Sequence, residues 1–317
     1  MLPTTVEVTT TRANAMVDPS LHVWGWEIPV YLFLGGLVAG MMIIAGYFLF
    51  TGRNRHSSCA CFVLPTLGLV LLSAGMLALF LDLEHKLFVW RLYTTFEVLS
   101  PMSWGSWILV LVYPALFFTF LLRPPRPILA RFSGLERLSD RLAQRRLLVR
   151  TIGIVNMALG SLLGVYTGIL LSSLGARPLW SSALLGPLFL VSGLSTAAAF
   201  VHMIARDKDE RVLLAKADIG FLAIELAFIV LFFIGMASAS QVHADAAALF
   251  LGGPFTMVFW VFVVGLGIIV PLIIQPLAVS HRIAHTPVAP LLVIAGGLLL
   301  RFVIVQAGQV SHWIRIL

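Results

Sequence analysis

Charge is what this sequence has least of. Only 11% of its 317 residues are Asp, Glu, Lys or Arg, while 60% are hydrophobic. Soluble globular chains carry about 25% charged residues, so a mean hydropathy of +1.00 marks an integral membrane protein. Cysteine is scarce too. Cys59 and Cys61 stand one residue apart, and two near-adjacent thiols cannot supply a four-ligand metal site. There is no Walker A motif and no cysteine cluster. The net charge of +7 comes mostly from one loop and is no nucleic-acid signature. A transmembrane b-type haem needs histidines on facing helices, well inside the membrane. His22, His56, His85, His202, His243, His281, His285 and His312 all fall in loops or at expected helix ends, which argues against a haem-carrying subunit.

What the sequence has in abundance is long apolar runs. Eight are long enough to cross ~30 Å of hydrocarbon, near Ile28–Phe50, Phe62–Leu81, Ser103–Leu122, Val149–Ser172, Leu184–Ala205, Ile219–Ala239, Phe255–Gln275 and Val288–Ala307. Only helices or closed barrels satisfy the backbone in lipid, and runs of this length are helices. Residues 1–27 are polar, and the run behind them reads as a retained anchor rather than a cleaved signal. Of the loop cations, 14 fall on one side and 5 on the other. The crowded side is cytoplasmic by the positive-inside rule, which sends both termini to the periplasm. Between residues 124 and 149, Ile128, Phe132, Leu135, Leu138 and Leu142 recur at helical spacing among arginines. This is the pattern of a basic amphipathic helix on the anionic inner leaflet.

A weak repeat, LFLGGL at Leu32–Leu37 and LFLVSGL at Leu188–Leu194, recurs after four spans. It predicts an all-α protein of two four-helix bundles, residues 28–175 and 176–317. Gly36 and Gly40 spell GxxxG, and Gly160, Gly164 and Gly168 share a face of the fourth span; small residues of this kind let membrane helices approach closely.

Polar residues gather at the outer end of the first bundle. Trp24, Trp26, Glu27 and Tyr31 enter it on the first span, and Asp82 and His85 leave it on the second. Three helical residues turn by about 300°, so Asp82 and His85 share a face if the helix continues that far. Lys86, Arg91, Trp104 and Trp107 follow, and Tyr166 reaches the same level on the fourth span. A quinone needs apolar and aromatic walls, donors for its carbonyls, and groups that handle two protons. A histidine beside a carboxylate meets the last need. The bland alternative is an interfacial aromatic belt with basic residues on lipid headgroups. In the second bundle, Asp218 and Glu225 lie two turns, about 10 Å, apart on one face, and Arg301 sits inside the eighth span. Such groups form either a structural salt bridge or a proton path. A secondary transporter would place its site at the midplane on broken helices. Pro114 and Pro271 interrupt spans, but the polar and aromatic residues gather at the outer end instead.

Together, WGWEIPVYLFLGGLVAG (Trp24–Gly40), LSPMSWGSW (Leu99–Trp107), GVYTGILLSSL (Gly164–Leu174), PLFLVSGLSTAAA (Pro187–Ala199), the Glu225 helix and LRFVIVQAGQ (Leu300–Gln309) resemble the NrfD/PsrC family of eight-helix respiratory membrane subunits. The resemblance implies a quinone or quinol substrate, menaquinone or ubiquinone, bound at the outer end of the first bundle. It implies no haem and no iron–sulfur cluster in this chain. It also implies docking to a periplasmic ferredoxin-like iron–sulfur subunit and a catalytic subunit of molybdoenzyme or cytochrome type, with lipid as the surrounding partner. Tyr166 matches the family's quinone-contacting tyrosine. The Asn and His that some members carry on the first helix are replaced here by Ile28 and Tyr31, leaving His22, Glu27, or Asp82 with His85 to substitute. Arg91 and Trp104 complete the expected pocket wall.

Overall fold

The computed structural model describes residues 23–53, 60–122, 124–125, 133–175, 177–280 and 286–313. His22, Cys59, Ile128 and Phe132 lie outside them. Eight helices are long and apolar enough to cross a membrane: α1 (Glu27–Thr51), α2 (Leu64–Asp82), α3 (Pro101–Leu122), α4 (Arg146–Ser172), α5 (Leu185–Ile204), α6 (Lys208–Ala239), α7 (Val258–Val279) and α8 (Val288–Gln309). No strand occurs among the described residues.

Helix α1 is the axis of the molecule. Its apolar window is 83% buried inside the protein, against 28% for α6, and it packs on α2, α4, α5 and α8. With lipid as apolar as the protein interior, helices associate through close packing rather than solvent exclusion, and glycine makes that possible here. A Cβ built on Gly193 would come within 2.6 Å of the Gly36 carbonyl oxygen. One on Gly160 would come within 2.7 Å of the Ala39 carbonyl oxygen, and one on Gly153 equally close to that of Gly46. The GxxxG of α1 therefore serves the α5 crossing, and the glycine row of α4 serves α1 and, through Gly168 against Leu185, α5. Gly36 and Gly193 belong to the two repeat motifs and meet each other.

Three elements differ from the sequence-based expectation. Helix α6 begins at Lys208, not near Ile219, because Asp207 caps it (its side chain accepts from the Asp209 N–H at 3.2 Å) and Asp209 and Glu210 occupy the first turn. Carboxylates suit the positive end of a helix dipole, which hydropathy does not register. Helix α7 is π-helical from Val258 to Ile269 before continuing as α-helix. Helix α2 stops at Asp82, where Leu83 turns extended (φ −65°, ψ 126°). The continuation that would have put His85 on the Asp82 face does not exist.

The loop after α3 forms the helix Ser133–Gln144. It docks through Ser139, whose hydroxyl donates to the Leu122 carbonyl at 2.7 Å, and through Leu142 against Leu49, Leu122 and Val149. Leu138 faces outward.

Replacing Gly193 or Gly160 by Leu should force the α1 crossings apart. Overpacking of this kind costs about 1–3 kcal/mol even where neighbours yield, and backbone carbonyls yield little. Melting curves and monodisperse yield in detergent should both fall; wild-type values for either variant would refute the crossing's importance.

Candidate functional site

Two clusters of polar side chains are buried between the spans. The first lies at the end where α1 begins and α2 finishes. Tyr31 and Tyr166 are 3% and 5% exposed. Tyr166 lies directly over Gly105 of α3, where a Cβ would overlap its ring and hydroxyl. Tyr31 rests beside Gly75 of α2. Tyr31 is within electrostatic reach of Tyr166 and of Tyr93, and Tyr93 of Tyr113. Tyr113 is paired with Ser73 at 3.3 Å between α3 and α2. Four of the chain's five tyrosines thus form one array. Tyr93 belongs to the short helix Arg91–Thr94, and burial raises its phenol above the ordinary value, with Tyr113 adding to the rise. Among the described residues neither the Tyr31 nor the Tyr166 hydroxyl has a hydrogen-bond partner.

Around this array the expected residues divide. Glu27, the first residue of α1, and Asp82, the last of α2, are close enough to feel each other's charge. His85 is exposed and packs on Phe88 at 6.5 Å between ring centroids. Arg91 lies over the Phe88 and Trp90 rings at 4.7 and 5.6 Å and is exposed. Trp104 ties the preceding turn down, its indole N–H donating to the Val98 carbonyl at 2.7 Å. Tyr31 and Tyr166 are within reach of each other, and so are Glu27 and Asp82; His85 and Arg91 lie on the segment between α2 and α3, and Trp104 in the first turn of α3. Tyr93 and Tyr113 were missed by motif reading, although the scarcity of tyrosine was the available signal.

The second cluster sits among α5, α6, α7 and α8. Asp218 accepts from the Ser195 hydroxyl at 2.7 Å and from the Gln275 amide at 2.6 Å. Arg301, fully buried, donates to the Ser192 hydroxyl and to the carbonyls of Gly297 and Phe189, the last two at 3.0 Å. Its guanidinium also lies 4.9 Å from the Phe189 ring centroid. Glu225, also buried, lies within electrostatic reach of the same guanidinium. Ser192 and Ser195, three residues apart, lie on the inward face of α5. Sequence reading passed over both, and over Gln275, because none carries charge.

Similarity to known proteins decides the family. A family model described as "Polysulphide reductase, NrfD" matches residues 14–312. The chain belongs to the NrfD family. It is 31% identical over 306 residues to one of the polysulfide reductase chains of Wolinella succinogenes, covering 90% of this chain and 94% of that one. It is also 31% identical over 321 residues to protein NrfD of Escherichia coli, covering 95% and 99%. A protein NrfD homolog of Haemophilus influenzae is 27% identical over 306 residues, covering 91% and 95%. With eight apolar spans and such bacterial relatives, this NrfD-family chain is a multi-pass inner-membrane protein.

Removing the Ser192 hydroxyl (Ser192→Ala) should leave a buried guanidinium N–H short of a partner. Losing one partner of a buried polar group costs about 1–3 kcal/mol. Thermal unfolding in detergent should show a lower midpoint; an unchanged midpoint would mean that Ser192 carries no part of the network.

Proposed function

We propose that this chain is the membrane subunit of a respiratory oxidoreductase complex. On this reading it binds a quinol, menaquinol or ubiquinol, at the Tyr31–Tyr166 end and exchanges electrons with a periplasmic iron–sulfur subunit. The terminal substrate belongs to a further catalytic subunit. The observation that carries the proposal is the pair of buried phenols, Tyr31 and Tyr166, within electrostatic reach of each other and with no hydrogen-bond partner among the described residues. Phenol hydroxyls in an apolar, aromatic wall suit the two carbonyl or hydroxyl oxygens of a quinone ring. Quinol oxidation releases two electrons and two protons. The electrons leave to the docked cluster, and the protons pass to Asp82, or to His85 on the exposed cap, and from there to water. Glu27, Arg91 and Trp104 belong to the surroundings of this pocket. The Wolinella succinogenes relative, itself a chain of a polysulfide reductase, supports membership of a multi-chain reductase.

The architecture that goes with this function has two four-helix bundles, both termini periplasmic, and the helix Ser133–Gln144 on the cytoplasmic side. The positive-inside asymmetry supports it. In the second bundle Asp218, Glu225 and Arg301 form a proton path coupled to the redox step. Their support is burial at membrane depth, where ionisable groups are rare and face the interior.

Two measurements test these statements. In the purified complex, Tyr166→Phe and Asp82→Asn should each lower quinol kcat/KM by at least tenfold, about 1.4 kcal/mol of transition-state stabilisation, while assembly persists. Wild-type kinetics in both would reduce the subunit to a passive anchor. In proteoliposomes Glu225→Gln should lower the number of protons moved per electron, and an unchanged ratio would remove the proton path.

A further inference from the structure

Beside Asp218 the second cluster opens into a cavity of about 20 Å³, lined by Asp218, Gln275, His202, Thr286, Ala215 and Ala289 among others. A water needs roughly 10–15 Å³ of such space and two to four polar partners, so the cavity seats one water and little else. Gln275 is the instructive residue. Its amide donates to Asp218 at 2.6 Å, but its carbonyl oxygen Oε1 is buried with no partner. A buried acceptor left bare costs about 1–3 kcal/mol, and a water in the adjoining space removes that cost. On the side away from the tyrosines, a wider vestibule of about 200 Å³ shares His202 and Thr286 with this cavity and continues past Arg211 and Pro287. The His202 ring is held at the shared wall by Nδ1 against the Arg211 carbonyl at 3.1 Å.

We infer that the cavity holds a single water bound to Gln275 Oε1, and that this water is the last carrier delivering protons from the vestibule to Asp218. The inference rests on the proton-path reading above and supplies its intake. The water gives one proton to the Asp218 carboxylate and regains one from vestibule water, so one proton crosses and no electron moves. Gln275 is a positioning residue: its amide fixes the carboxyl and its carbonyl fixes the water. Small side chains keep the space open, Ala215 from α6 and Ala289 from α8.

The test uses the intact complex in proteoliposomes, following proton uptake from the His202 side during quinol oxidation. Ala289→Leu fills the cavity without removing any polar group, and Gln275→Leu removes the water's anchor at nearly constant size. Both should slow uptake at least tenfold. Wild-type uptake in either leucine variant overturns the assignment. A wild-type complex that oxidises quinol yet takes up no proton from this side sinks the path itself, which separates that failure from an error about the water.

Discussion

The structure depends on backbone-to-backbone contact at the crossing of α1 with α5. Where Gly36 and Gly40 meet Gly193 and Ala197, there is no room for larger side chains. In water a helix pair can be held by burying leucines; in lipid that gain is largely absent, and close van der Waals approach must replace it. The same crossing joins the two halves of the chain, because α1 belongs to the first and α5 to the second. Helix α1 is consequently enclosed along most of its length, and the residues it carries near either cluster are held in fixed positions.

That enclosure sets the conditions for the buried charge. Arg301 is fully inside the protein at membrane depth, where an unpaired cation is costly. It is stabilised by carbonyls of Gly297 and Phe189, the Ser192 hydroxyl and the face of the Phe189 ring. Three of these groups come from α5, so α5 supplies the solvation that lipid cannot. Gly36 contributes by what it lacks: a Cβ there would sit 3.3 Å from the guanidinium Nη2. The glycine that brings the helices together also leaves room for the arginine between them.

Legibility from the sequence followed the physics of each signal. The spans were readable because hydrophobicity over a membrane's thickness is a long-range average, and α1 to α5 end within a few residues of their expected limits. The glycine rows were readable because glycine in a membrane helix has few other purposes. Tyr166 was readable from its match to the family's tyrosine and Tyr31, where the chain departs from the family pattern, from its place near the start of the first span; the structure sets the two within electrostatic reach. The Asp82–His85 pair was not, since a helix end depends on a single residue turning extended, which no periodicity announces. The π-helical stretch of α7 was invisible for a related reason: the run is apolar all round, and without a polar face there is no stripe from which to count residues per turn. Gln275 and Ser192 escaped because charge is what stands out in an apolar span, whereas both matter as neutral partners of a charged neighbour.

The two clusters are neighbours along α1. Tyr31 and Gly36 are five residues apart on α1, a rise of about 7.5 Å, and no Pro lies between them. A Cβ on Gly36 would lie 3.3 Å from the Arg301 guanidinium, and Arg301 and Glu225 act on each other electrostatically. A displacement of α1 at the tyrosine array therefore has no soft segment in which to dissipate before it meets the arginine. Tight cores respond to such displacements by repacking rather than by stretching. The fold places a fully buried guanidinium against the helix that carries Tyr31, so the packing of that helix and the solvation of the charge depend on one another.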